Sequence, residues 1–543
     1  MAILLGIKHS LNGLVEFISE LANVSRPKAT ESIAIWPVYS IALVVVQILI
    51  FRRLHMPKSI HLILSLLLLS PLKSLSYTGS GSTEAILEFT HFIELPVSEK
   101  SGIDESLILK KIEEQVLHMV GPMARVPFRS SPKGDQEINT LPNNREYIKD
   151  ELGKITKLRV HYNYKGTAVV DKRATSPYTL YLPLDSEDLY FKAGGSSEDN
   201  LCTDPHYTAY GDFWYFWSPT RPGCENNLVE NVDYHAVLAK ITRIPNSSSP
   251  KGVKTYPEYK RLADKNGTVK IMLLMGMDDP SNNPNPILSA GAEDDDLNAL
   301  NFRKIRSKLM GPPSRGGFGF KARRWENSEI NAVLEEGTRP LPYVEEFIET
   351  YSPTNQRGQR LEVVMFFGKA GIDENSKGFH YFFRKALKEY SVVIYDGHSG
   401  LGGHLYLDGI EELRSEQSGK PFRFELPICK YQILYFNSCS SYSYYNASFF
   451  PQKKTASDPA GTKSLDIVAT GLETAFDGGA RTNLELISTV RNWLKYGPSV
   501  AKSYLELVKR LENDNLSGVN GDEDNPTSQL EVGNQSANLP GCP

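Results

Sequence analysis

Two side chains able to carry out acyl transfer lie 41 residues apart in the last third of the chain, each at the end of a hydrophobic run. His398 closes Ser391-Val-Val-Ile-Tyr-Asp-Gly-His398 and is followed by Ser399 and Gly400. Cys439 closes Tyr431-Gln-Ile-Leu-Tyr-Phe-Asn-Ser-Cys439 and is followed by Ser440. The thiolate is the nucleophilic form of cysteine, and a neighbouring imidazole both lowers the thiol pKa and moves the proton, so the pair is the minimum equipment for nucleophilic catalysis. Short β-branched and aromatic runs read as buried strands. Each run stops at a small-residue turn, which predicts a His and a Cys at the carboxyl edge of a sheet, where open α/β sheets bind ligands.

The elements around the pair alternate. From residue 360 onward the pattern predicts a strand over 361–367, a helix over 378–390, the His strand, the Cys strand, a strand over 465–470, and helices over 484–496 and 499–511. That order argues a parallel sheet flanked by helices on both faces. Residues 80–340 read instead as a β-rich α+β region, with strands over 85–95, 157–164, 178–182, 232–243 and 268–277 and one helix over 296–310. The Gly- and Arg-rich segment 312–324 predicts a flexible connection. It is no phosphate-binding loop, because no strand feeds it and no Gly-Lys-Ser/Thr ends it. The polar sequence beyond Glu512 predicts disorder. The expected division is therefore an export or membrane segment over 1–76, a β-rich region over 77–350, an α/β domain over 355–512 and a disordered tail over 513–543.

A hydrophobic run ending in His and small residues, followed some 40 residues later by one ending in Cys, resembles the caspase, gingipain and legumain group of cysteine peptidases, whose caspase members place the His about 50 residues before the Cys. The resemblance covers about residues 360–510 and implies a caspase-like α/β fold. It also implies Cys439 as nucleophile, His398 as the group that protonates the leaving amine, and backbone N–H groups of Cys439, Ser399 and Gly400 as oxyanion donors. No cofactor and no metal is implied, and the substrate is a peptide or protein. The chain departs from the pattern in two places. Ser399 stands directly after the His where the group has Gly, adding a Cβ to the oxyanion loop, and Asn437-Ser438 precedes the Cys where caspases have Gln-Ala. The bacterial gingipain-like members are the closer comparison.

Other readings start from the same residues. Asp396-Gly397-His398-Ser-Gly-Leu-Gly-Gly403, with Asp477-Gly478-Gly479, echoes metal-dependent phosphatases, which use hard oxygen ligands. Asp396, His398, His404 and Asp408 would be a zinc set without family spacing. A catalytically inactive surface binding module on the same fold is the non-enzymatic alternative. Glu473 and Asp477 could face a basic substrate residue. The aromatic string Asp212-Phe-Trp-Tyr-Phe-Trp217 reads as a packed strand stapled by Cys224, or as a groove lining.

Five cysteines leave one unpaired in an exported protein. Cys202 with Cys224 is the expected disulfide, Cys429 with Cys542 a second candidate, and Cys429 with Cys439 the pairing that would remove the nucleophile. A net charge of −4 excludes bulk attraction to nucleic acid. Residues 33–51 form an uncharged stretch long enough to span a bilayer. A second segment, from Met56 through Lys58 and an apolar run to Ser74-Leu75-Ser76, has the layout of a signal peptide over 56–76. Either translation starts at Met56 and 1–55 is an upstream extension, or 33–51 is a membrane anchor. Both place the remainder outside the cytoplasm, with the membrane a partner only through that anchor.

Overall fold

The computed structural model describes residues 76–521 apart from 79–80, 98–104, 126–128, 133–135, 195–200, 205–207, 209, 245–254, 279–295, 335–337, 352–359, 372–375, 475 and 513–515. The expected export or anchor segments, but for Ser76, and Cys542 lie outside the described residues. Among the described residues no helix is long and apolar enough to cross a membrane.

Strands β1 (Ser76–Thr78) and β2 (Ser82–Pro96) lead to helices α1 (Glu105–Leu117) and α2 (Val120–Arg125). Then follow β3 (Ser130–Pro132), β4 (Glu137–Lys149), β5 (Ile155–Asp171), β6 (Tyr178–Pro183), α3 (Ser186–Ala193), α4 (Tyr210–Phe216) and β7 (Tyr234–Arg243). The chain continues through β8 (Thr268–Gly276), α5 (Leu297–Met310), β9 (Lys321–Arg324), α6 (Asn327–Val333), β10 (Tyr343–Thr350) and β11 (Arg360–Gly368). Next come α7 (Lys377–Glu389), β12 (Val392–Asp396), α8 (Leu407–Ser418) and β13 (Gln432–Asn437). The last elements are α9 (Ser441–Tyr444), α10 (Asn446–Phe449), β14 (Leu465–Ala469), α11 (Gly479–Tyr496), α12 (Tyr504–Leu511) and β15 (Gly518–Asn520).

Nine strands make one sheet in the order β1-β15-β14-β13-β12-β8-β11-β10-β9. Its five central strands, β11-β8-β12-β13-β14, run parallel, and antiparallel strands close both edges. Every residue of β12, β13 and β14 is buried, as a parallel sheet covered on both faces requires. Successive side chains point to opposite faces. Ile271, Leu273 and Met275 therefore pack with Phe302, Leu486, Trp493 and Leu507 of α5, α11 and α12, while Met272 and Leu274 pack with Phe379, Phe383 and Ile410 of α7 and α8.

The remaining six strands form an antiparallel sheet, β3-β5-β2-β7-β6, with β4 also on β5. Its spine is the β2–β5 ladder from Ser82↔Asp171 to Pro96↔Lys157. Along β2 buried residues alternate with partly exposed ones, and Leu87, Phe89 and Ile93 meet Ile108, Ile112 and Val116 of α1. The two sheets meet next to Cys439: the Tyr442 hydroxyl donates to the Glu84 carboxylate (2.7 Å), Ser131 and Ser443 share a hydrogen bond (3.1 Å), and Arg125 pairs with Glu473 (3.0 Å).

The fold departs from the expected layout at five points. The expected boundary at 350–355 does not separate the sheets, since β8 lies at the centre of the large sheet between β11 and β12. The stretch 312–324 is no free linker: Lys321–Arg324 pairs with β10, and Arg323 binds Glu329 and Glu346. Within the expected tail, β15 adds an antiparallel strand to β14. The aromatic string is helical at α4, not a strand. The last helix starts at Tyr504, not at 499, because Ser503 and Glu506 form a capping box there.

Candidate functional site

β12 and β13 pair with Asp396 opposite Asn437. His398 and Cys439 each follow two residues later, so they leave adjacent strands at one level of the sheet, where the strand spacing is about 4.8 Å. On the other side of β12, Asp396 lies opposite Met275 of β8, and Asp278 leaves that third strand at nearly the same level. The His398 ring is fixed from there: Nε2 lies 3.2 Å from the Asp278 carbonyl oxygen and 3.8 Å from its carboxylate. A carbonyl only accepts, so Nε2 holds the proton in that contact.

The loop after His398 turns through three consecutive left-handed residues, Gly400 (φ +52°), Leu401 (φ +53°) and Gly402 (φ +89°). A Cβ on Gly400 would also sit 2.5 Å from the His404 ring, so a side chain here would have to displace that ring as well as hold a left-handed backbone. The loop is held from several sides. The Tyr395 hydroxyl donates to the His398 carbonyl (2.5 Å), and the Ser399 carbonyl accepts from the Gly402 and His404 N–H groups (2.9 and 3.1 Å). The N–H groups of Ser399, Gly400 and Cys439 have no acceptor in another residue among those described. Three unsatisfied backbone donors beside a His and a Cys suit a developing oxyanion.

Among the described residues Cys439 is the free cysteine, with its side chain partly exposed. Cys202 and Cys224 form a disulfide, and Cys429 is also disulfide-bonded, which removes the Cys429–Cys439 pairing. The sulfur leans on an apolar patch from the antiparallel region, Val120 of α2 with Tyr215 and Phe216 of α4. Although part of the side chain reaches solvent, burial pushes the thiol up to about 12; the Thr474 N–H acts against this, and the Glu473 and Asp212 carboxylates add to it. The resting thiol is therefore protonated at neutral pH. That differs from the low-pH thiolate expected of an activated dyad, and the physical reason is burial of the sulfur, to which the patch on α2 and α4 contributes contacts.

Beneath the pair, the buried carboxyl of Asp396 accepts from the amides of Asn437 (3.1 Å) and Asn483. Burial raises it to about 7, against the two amide hydrogen bonds that lower it. Both oxygens are thus engaged, so Asp396 is not presented as a ligand. No cluster of three His, Cys, Asp or Glu able to hold a metal occurs among the described residues, so neither the phosphatase set nor the zinc set is assembled there. Glu473 is paired with Arg125 and Arg129 and does not face outward for a basic substrate, whereas Asp477 is exposed. A cavity of about 630 Å³ shares Val120, Leu401 and Tyr444 with the apolar patch around Cys439, and Val116, Met119 and Tyr406 extend its wall.

Two residues of the site escaped the sequence reading. Asp278 carries the same signal as the pair, a hydrophobic run ending in a polar residue, but β8 falls in the region assigned to another domain. Tyr215 lies in the aromatic string that could line a groove, but its place beside the His398 loop depends on how the two sheets pack. The chain matches no protein-family model and no curated protein.

Proposed function

We propose that the chain is an exported cysteine peptidase with a caspase-like arrangement of its parallel sheet, Cys439 being the nucleophile and His398 the proton carrier. The observation that carries this reading is the delivery of His398 and Cys439 to one level of adjacent parallel strands, beside three unsatisfied backbone N–H groups. Numbered along the chain, the parallel strands stand in the order 2-1-3-4-5, for which ligands bind outside the carboxyl ends at the reversal between strands 1 and 3. Asp278 and His398 flank that reversal. The Cys202–Cys224 disulfide is compatible with an oxidising compartment.

In this reading Sγ attacks the scissile carbonyl carbon and forms a C–S bond while its proton passes to the His398 imidazole. The N–H groups of Ser399, Gly400 and Cys439 hold the oxyanion. Collapse breaks the C–N bond, and the imidazolium gives the same proton to the leaving amine. Water then attacks the thioester, His398 takes its proton, the C–S bond breaks and the proton returns to sulfur. Because the resting thiol is neutral, His398 works as a general base during attack rather than as half of a standing ion pair. The cavity beside the patch, lined by Val116, Met119 and Leu401 together with Lys110, Glu113 and Glu114, is the place for a substrate side chain.

The test is cleavage of fluorescently quenched casein by the purified chain. Wild type is expected to cleave, Cys439→Ala to be inactive, and His398→Ala to lose about 10²–10⁴-fold. Turnover that survives Cys439→Ala sinks the proposal. The burial and protonation of Cys439 favour a second reading, a binding module on the same scaffold, which predicts no cleavage and no reactivity of Cys439 beyond that of an ordinary thiol.

A further inference from the structure

The departure at Ser399 has a partner on the other sheet. The Tyr215 hydroxyl accepts a hydrogen bond from the Leu401 N–H at 2.6 Å and shares a second with Ser399 Oγ at 2.5 Å. Both tyrosine and serine are buried, at 3% and 1% exposure. The tyrosine hydroxyl therefore ties together Ser399 and Leu401 on either side of left-handed Gly400, where an untied loop has several backbone states open to it. It uses up the Leu401 N–H and the serine hydroxyl while leaving the N–H groups of Ser399 and Gly400 unsatisfied. Tyr215 itself is anchored, since α4 lies inside the Cys202–Cys224 loop and Trp217 donates to the His118 carbonyl at 2.9 Å.

We propose that Tyr215 is a positioning residue for acyl transfer at Cys439: through Ser399 Oγ and the Leu401 N–H it holds the Ser399 and Gly400 N–H groups on the oxyanion. The serine that replaces the group's glycine is the handle for this contact. The inference rests on the peptidase reading, and it makes the antiparallel region part of the active site.

The experiment compares two reactions of one sulfur in the full-length purified chain. Acylation by p-nitrophenyl acetate forms the acetyl–S bond, breaks the C–O bond to p-nitrophenolate and passes the thiol proton through His398 to solvent; it develops an oxyanion. Alkylation by iodoacetamide forms an S–CH2 bond at the same sulfur, breaks the C–I bond to release iodide and gives the thiol proton to solvent; it develops no oxyanion. Mass spectrometry reads both at Cys439, with Cys439→Ala as the blank. Tyr215→Phe, which keeps the ring, is expected to slow acylation about tenfold or more, a fraction of what losing one oxyanion donor outright costs. Alkylation is expected to stay within about twofold, because no donor is needed there. Ser399→Ala, which removes only the handle, is expected to reproduce this split. Equal acylation in wild type and both variants overturns the inference and leaves the peptidase reading standing. A parallel fall of both reactions with a lowered melting temperature shows a structural role and overturns it too, as does faster acylation in Tyr215→Phe, the behaviour of a plug. A wild-type chain that is not acylated at Cys439 removes the peptidase reading and this inference with it.

Discussion

The two sheets expose their strand ends differently, and that difference decides which of them can gather reactive groups. The parallel strands of the large sheet are short, from five residues in β12 and β14 to nine in β8 and β11, and all end on one edge. Side chains placed after each strand therefore converge, as Asp278, His398 and Cys439 do. In the antiparallel sheet β2 and β5 run for 15 and 17 residues, and successive strand ends fall on opposite edges. Among the described residues, no comparable set of groups gathers past its strand ends; the His91 and His235 rings meet on the face of the sheet instead. What that sheet gives the site comes from the helices packed on it, above all α4. Each region also buries titratable groups with their own pH dependence, among them the Asp396 carboxyl in one and the His91 and His118 imidazoles in the other.

Breaking the anchor of α4 is the strongest way to test this division of labour. Trp217 is fully buried, stands edge-on to Trp214 and donates to the His118 carbonyl. Trp217→Ala is expected to destabilise the chain by about 3–5 kcal/mol, the usual range for a buried aromatic. Urea unfolding would show the lowered midpoint, and Cys439 alkylation should speed up at urea concentrations that leave the wild-type rate unchanged. An unchanged midpoint with an unchanged Cys439 rate would mean that α4 is not held by this core.

The buried titratable groups sharpen the comparison, because they tilt stability in opposite directions with pH. Burial holds His91 near 3, with His235 and His161 adding to the effect, and holds His118 near 4. Unfolded imidazoles take up protons below about 6.5 while these two stay neutral in the fold, so their region loses stability as pH falls from about 6.5 towards 4. Asp396 works the other way. Its unfolded carboxyl ionises above about 3.8 and its folded one only near 7, so stability is lost as pH rises from about 4 to 7. Asp396→Asn is expected to flatten the fall towards neutral pH, by a few kcal/mol at most, and His91→Phe the fall towards acid. Melting temperatures between pH 4 and 8 would show it. Identical pH profiles for wild type and Asp396→Asn would mean that the carboxyl is ionised in the fold throughout.

How much of this was legible in the sequence follows from the same contrast. Strands buried on both faces write themselves as continuous apolar runs, so β11, β12, β13 and β14 and the residues at the ends of β12 and β13 could be read without a structure. Residues 268–277 were also recognisable as a strand. Their membership of the parallel sheet was not, because α5, β9, α6 and β10 intervene before β11 and hide the strand–helix alternation. Asp278 was lost with them. The helix at α4 was missed because five consecutive aromatics have no period from which helix and strand can be told apart. The high pKa of Cys439 depends on contacts with residues more than 200 positions away, which no local pattern encodes.

The smallest expected effect isolates that cover. Val120, Tyr215 and Phe216 supply the apolar patch against Cys439, and Arg125 lies over the Phe216 ring at 5.2 Å. With a thiol near 12, the thiolate fraction should rise about tenfold per pH unit with no plateau between pH 6 and 9, and the iodoacetamide rate with it. A standing thiolate–imidazolium pair would instead give a rate flat with pH from the acid side. Phe216→Ala opens one wall of the patch without touching the hydrogen bonds of Tyr215. It is expected to bring the thiol back towards its ordinary value of 9 by about one unit, worth about 1.4 kcal/mol, and so raise the rate at pH 8 about tenfold. If the rate and its slope do not change, the burial of Cys439 comes from its own sheet. The antiparallel region would then act on the site only through the Tyr215 hydroxyl, and the cover assigned to α4 would shrink to one hydrogen-bonded side chain.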